Sequence, residues 1–174
     1  RCWYNFIYFG HNPNLVKILD GGFKKWSKEK RNVTSIIPEI TKSNYIAHEK
    51  KKLVKNKKEI DVNIQKIKFK LIDARSRARF EGRVKEPRKG LRSGSIQNSI
   101  CLPFNNVINK DHTFLNKKKL IKKFKAIGCN VNQKLVFSCG SGVTASVLAL
   151  AYSLIDNKYM PVVYDGSWSE YGKY

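Results

Sequence analysis

With 174 residues the chain is long enough for one domain with a sizeable core, and 41% apolar with 11% aromatic residues excludes a disordered chain. Its 35 Lys and Arg against 13 Asp and Glu give a formal charge of +22, which attracts anions. Much of that charge is lysine scattered through KKWSKEKR, HEKKKLVKNKKEI and NKKKLIKKFK, the pattern of a solvated face rather than of a dedicated nucleic-acid site. No apolar run approaches a membrane span. The four cysteines, Cys2, Cys101, Cys129 and Cys139, show neither zinc-knuckle nor CxxC spacing and are too sparse for a secreted disulfide framework. A reducing compartment, cytoplasmic or mitochondrial, is expected, and a metal site is not.

In chain order, residues 1–35 open with CWYNFIYFG, whose Trp3, Phe6 and Ile7 follow helical spacing. LVKILDGG then reads as a strand ending in a Gly-Gly turn, and FKKWSKEK as a short helix. The piece is too small to close a core alone and reads as beginning inside something larger. Residues 36–65 are lysine-rich, contain Pro38 and read as a linker, with a short amphipathic helix near Ala47–Lys58.

From Lys66 to Tyr174 the pattern becomes α/β. KFKLIDAR ends a strand at Asp73, RSRARFEG is a helical turn, and RVKEPRKGLRSGS is an open loop. ICLPFNNV gives a short buried strand and a turn. FLNKKKLIKKFKAIG sets Leu120, Phe124 and Ile127 on one helical face and stops at Gly128. KLVFS is a central strand, TASVLALAYSLID the next helix and MPVVYDG the next strand. Such alternation predicts a mostly parallel sheet flanked by helices on both sides, with ligands outside the strands' carboxyl ends. Asp73 and Cys139 both fall at such ends. LDGG and YDG, each followed by a tryptophan (Trp26 and Trp168), form a weak internal echo of the kind tandem copies leave.

The stretch SCGSGVT poses the main chemical question. Gly140 and Gly142 allow positive φ and close backbone approach, and the loop opens a helix near Thr144, which stands where a cap belongs. A thiolate at Cys139 is expected to be stabilised by those amides, with Ser141 able to turn its hydroxyl toward it. The alternative is a small buried hydrophobe, and a sulfur turned inward away from solvent is expected to defeat the nucleophile's role. Arg75, Arg77, Arg79, Arg83, Arg88 and Arg92 are forks suited to an anionic substrate. Arg75 has an equally open structural reading as a partner of neighbouring acids. Asp73 either holds a loop through backbone N–H groups or accepts a proton. His11, His48 and His112 cluster with no carboxylate. A cysteine phosphatase would carry arginine six positions after the cysteine, where Ala145 stands, so a softer target such as sulfur is favoured over phosphorus.

CGSGVT resembles the active-site loop of the mercaptopyruvate branch of the rhodanese-type sulfurtransferases. LIDARSRARFEG, EPRKGLRSGSI, LPF and YDGSWSEYG resemble that family in the same order, over about Lys66 to Lys173. The front piece resembles the last part of the first domain that precedes the catalytic one. The resemblance implies that Cys139 attacks the sulfur of 3-mercaptopyruvate, releases pyruvate and carries a persulfide. Thioredoxin, glutathione or cyanide then takes the sulfur, and no cofactor is needed. It assigns Arg79 and Arg88 to the substrate carboxylate and Ser141 to proton transfer near the keto group. Gly140, Gly142, Val143 and Thr144 shape the loop, with Asp73 and Arg75 as structural neighbours. Two departures stand out. Gly94-Ser95-Ile96-Gln97-Asn98 replaces a glycine–histidine–isoleucine–proline–glycine run, and only one glutamate–proline pair, Glu86-Pro87, precedes Arg88.

Overall fold

A computed structural model describes every residue except Asn157 and Tyr159. Five short strands, β1 (Val54–Lys55), β2 (Lys70–Asp73), β3 (Ser99–Cys101), β4 (Leu135–Ser138) and β5 (Val163–Tyr164), form one parallel sheet in the order β1-β5-β4-β2-β3. The strands are apolar runs because both faces are covered. Ile72, Leu135, Phe137 and Val163 point to a core shared with the helices α1 (Cys2–Tyr8), α5 (Lys117–Ala126) and α6 (Ala145–Ser153). Leu71, Val136 and Tyr164 point the other way, to Ile60 of α3 (Lys57–Lys66) and Trp168 of α7 (Ser167–Tyr171). The architecture is therefore the expected α/β one, a parallel sheet between two helical layers. Two further helices, α2 (Gly22–Lys28) and α4 (Arg77–Phe80), are short.

Local chemistry explains the helices that hold the site. Helix α5 starts where the Asn116 side chain accepts the Lys119 N–H at 3.0 Å, buries Leu120 and Phe124, and ends before Gly128 at φ +73°. Phe124 meets Tyr152 of α6 edge-on, ring centroids 5.0 Å apart, which locks the two helices on the same sheet face. Helix α6 is rich in Ala and Leu and buried nearly all round, as the helix following a central strand must be.

Four expectations are corrected. LVKILD forms no strand: Pro13–Leu15 is one 3-10 turn, and no described residue of 16–19 pairs with a sheet edge, so an extended run stays unladdered. In α1 the inward residues are Tyr4 and Ile7, while Phe6 is exposed. The helix expected near Ala47–Lys58 lies at α3 instead, started by a capping box in which Asn56 and Glu59 exchange side-chain and backbone bonds. Residues 54–65, the end of the expected linker, thus supply a sheet strand and nearly all of a covering helix. MPVVYDG contributes only the two residues of β5.

Candidate active site

Strands β2 and β4 are neighbours, with Asp73 opposite Ser138 in register, so the loops that follow them leave the same rim of the sheet. After β2, Arg75 folds back: its N–H donates to Asp73 Oδ1 at 2.9 Å and its guanidinium donates to Asp73 Oδ2 at 2.8 Å. The same guanidinium donates to Glu86 Oε1 at 2.8 Å and to the Gly94 carbonyl at 2.8 Å, and lies 4.5 Å from the Trp168 ring centroid. All three charged side chains, Asp73, Arg75 and Glu86, are at most 2% exposed. Burial alone would raise the Glu86 carboxyl. The hydrogen bond from Arg79 and the charges of Arg75 and Arg79 overcome this and hold it below the usual carboxylate value. Here Asp73 and Arg75 spend their hydrogen-bonding capacity on one another and on the loop.

Arg79 and Arg88 are brought together at the cysteine loop. Arg79 donates to both oxygens of Glu86, and its Nη2 stands 3.1 Å from where a Cβ on Gly140 would lie. Arg88, exposed, reaches the Gly140 carbonyl with Nη1 at 3.5 Å. Glycine at 140 thus leaves room for an arginine. Gly142 serves the other purpose: it adopts φ +75°, where a Cβ would sit 3.0 Å from the Asp165 carbonyl oxygen.

The loop itself is held from below. Ser167 Oγ, fully buried, accepts the N–H of Cys139 at 3.0 Å and of Gly142 at 3.1 Å, and donates to the Tyr164 carbonyl at 2.8 Å. The first amides of α7 take the loop's carbonyls, Trp168 N–H to Cys139 O at 2.9 Å and Ser169 N–H to Gly140 O at 2.8 Å. With its carbonyls drawn away, the loop keeps several amides free of internal partners. The Ser141 N–H donates to Cys139 Sγ at 3.4 Å, and the N–H groups of Gly140, Val143, Thr144 and Ala145 make no hydrogen bond to any described residue. Unpaired donors in the loop that carries the sulfur suit an anion.

Two site expectations change. Thr144 occupies the N-cap position of α6 but its side chain makes no capping bond, and Ser146 Oγ instead bonds the Gly142 carbonyl at 3.0 Å. Ser141 meets the sulfur through its backbone, not its hydroxyl. Cys139 is 2% exposed and packs in the main core, as deep as a structural cysteine. What distinguishes it from Cys101 and Cys129 is the donor on its sulfur: Sγ of Cys139 accepts the Ser141 N–H, whereas the Cys101 and Cys129 thiols face backbone carbonyls, at 3.7 and 3.9 Å. Ser167 and Glu86 were missed from sequence. Their signal lay in YDGSWSEYG and in EPR, which composition alone presents as turn and loop. Among the described residues no group of three or more His, Cys, Asp or Glu is placed to hold a metal, and no helix is long and apolar enough to cross a membrane.

A model of the rhodanese-like domain matches residues 55–174. The chain is 32% identical over 196 residues to "Thiosulfate/3-mercaptopyruvate sulfurtransferase 1, mitochondrial" of Arabidopsis thaliana, covering 98% of this chain and 50% of that one. It is 36% identical over 172 residues to the thiosulfate sulfurtransferase of Rattus norvegicus, covering 98% and 57%. Escherichia coli SseA, solved as a 3-mercaptopyruvate sulfotransferase with the "Rhodanese" fold, superposes with a TM-score of 0.81 at 28% identity, covering 98% of this chain and 62% of that one. The chain therefore spans about half the length of the curated relatives it matches. A parallel sheet whose central strand ends at a cysteine loop, matched by a domain model over 120 residues (55 to 174 inclusive), makes this chain a member of the rhodanese-like domain family.

Proposed function

We propose that the chain moves a sulfur atom through a persulfide on Cys139, with 3-mercaptopyruvate as the preferred donor. The observation that carries this reading is the Ser141 N–H on Cys139 Sγ, in a loop whose neighbouring amides have no partner among the described residues. The Cys139 thiolate attacks the donor sulfur and the donor's carbon–sulfur bond breaks. The electron pair goes to carbon as the pyruvate enolate, which takes a proton with the Ser141 hydroxyl assisting and leaves as pyruvate. The outer sulfur of the persulfide is anionic, and the N–H groups of Gly140, Val143 and Thr144 stabilise it. An acceptor thiolate, on thioredoxin or glutathione, or cyanide, attacks that sulfur, and Cys139 departs as thiolate. Arg88 is the freer cation for the donor carboxylate, because Arg79 is clasped by Glu86 and steadies the site's edge. Residues 1–35 form the tail of a preceding unit in this reading, and their exposed Leu15 and Phe23 are consistent with a covering partner.

The three uncharged residues after Cys139, Gly140-Ser141-Gly142, favour mercaptopyruvate over the doubly charged thiosulfate. The 36% identity to rat thiosulfate sulfurtransferase supports thiosulfate as the second reading. Turnover of the intact protein with each donor, cyanide as acceptor, separates them: higher kcat/KM with mercaptopyruvate is expected, and a clear win for thiosulfate reverses the assignment. The depth of Cys139 favours a third reading, a binding module without turnover, and activity with neither donor would establish it.

A further inference from the structure

Arg1 belongs to the front piece, yet its side chain ends at the cysteine loop. Its Nη1 donates to the Gly142 carbonyl at 3.2 Å, and its Nη2 pairs with Asp165 Oδ1 at 2.6 Å. The pair covers the Cα of Gly142 so closely that a Cβ there would lie 2.9 Å from Arg1 Nη1 and 2.8 Å from Asp165 Oδ1. Tyr4, one turn along α1, is buried with its hydroxyl on the Leu53 carbonyl, and its ring lies 5.3 Å from the Arg1 guanidinium carbon. Helix α1 is thus fixed on the core by Tyr4 and Ile7 and presents Arg1 to the loop.

The consequence follows from peptide geometry. No described peptide bond is cis, so within the Gly142–Val143 peptide the C=O and N–H point in opposite directions. The Gly142 carbonyl is held by two donors, the Ser146 hydroxyl at 3.0 Å and the Arg1 guanidinium at 3.2 Å, and the pull toward Arg1 turns the Val143 N–H the other way. That N–H is one of the loop donors with no acceptor among the described residues. An exposed ion pair of this kind, with side chains 28% and 48% exposed, adds little to stability, so its effect falls on the loop's orientation.

We propose that Arg1, braced by Asp165, is a positioning residue of the cysteine loop: it aims the Val143 amide at the sulfur that Cys139 carries. The inference rests on the sulfur-transfer reading for its chemical consequence but not for its structural content, and the test keeps the two apart. In the intact protein, Arg1→Gln and Asp165→Asn are compared with wild type by the chemical shift of the Val143 amide, and by the rate of persulfide formation on Cys139. The expected result is a displaced Val143 amide resonance in both variants at near-unchanged melting temperature. Persulfide formation should slow on the order of tenfold, the scale of one charge-assisted bond. Arg1→Lys should recover only part of the rate, since a point charge cannot hold the carbonyl and Asp165 together. An unmoved Val143 amide in both variants overturns the proposal even if sulfur transfer is real. A wild type that takes up no sulfur overturns the transfer reading while the amide measurement still decides the role of Arg1. If Arg1→Gln unfolds, Asp165→Asn, which keeps the guanidinium, decides alone.

Discussion

The two loops that leave adjacent strands β2 and β4 begin level with one another, at Asp73 and Ser138, and spend their polar groups in opposite ways. The first is closed: Arg75 is shared among Asp73, Glu86 and Gly94, and these side chains are dry. The second has its carbonyls fastened by Trp168, Ser169 and Arg1 and keeps several amides unpaired on the segment that carries the sulfur. The saturated Asp73–Arg75–Glu86 cluster serves as scaffold, and exposed Arg88 farther along the same segment is left to meet a ligand. An unsaturated loop on a rigid base is a site. Saturation separates them better than burial, because Asp73, Arg75 and Cys139 are all at most 2% exposed.

The sharpest way to break this contrast is Arg75→Leu. Removing Arg75 from the buried ionic cluster leaves Asp73 uncompensated and Glu86 with Arg79 alone, and a loss of about 3–5 kcal/mol in urea unfolding is expected. A loss below about 1 kcal/mol would deny the first loop its scaffold role. Next comes Ser167→Ala, which strands the Cys139 and Gly142 N–H groups in a dry environment, at about 1–3 kcal/mol. It should also slow sulfur uptake, because the loop loses its base; full uptake with lower stability would confine Ser167 to folding.

A pH titration sharpens the same comparison. The Glu86 carboxyl is held below its unfolded value of about 4.3, so its contribution to stability is complete above that value. It is lost as pH falls through the lower, folded value. Glu86→Gln should flatten this acid limb of the stability curve, and an unchanged limb would place the acid sensitivity elsewhere. The smallest effect is expected from Thr144→Ala, within about 0.5 kcal/mol, because the hydroxyl makes no capping bond. A loss above 1 kcal/mol, of the size typical for a real cap, would restore the role its position suggests.

How much of this was legible in sequence depends on the range of the interaction. Strands β2 and β4 and helices α5 and α6 announce themselves through apolar runs, the Leu120–Phe124 spacing and Gly128, all of which act within a few residues. Cys139 stood out for the same reason, since the glycines that shape its loop are adjacent to it. Helix α3 was displaced because dense lysine hid the Asn56–Glu59 box beneath a linker's composition. LVKILD has strand composition, but a strand exists only where another chain segment pairs with it, and no spacing rule supplies the partner. Ser167 grips amides 25 and 28 residues away, and Arg1 a carbonyl 141 residues away; such contacts are made by the fold and leave no local pattern.

The central claim is that the sulfur of Cys139 accepts and carries a second sulfur. Intact-mass measurement after incubation with 3-mercaptopyruvate, followed by peptide mapping, tests it most directly. The account predicts the mass of one added sulfur on the peptide bearing Cys139, absent in Cys139→Ser and removed by cyanide. An unmodified Cys139 with either 3-mercaptopyruvate or thiosulfate, or the added sulfur on Cys2 instead, would contradict it.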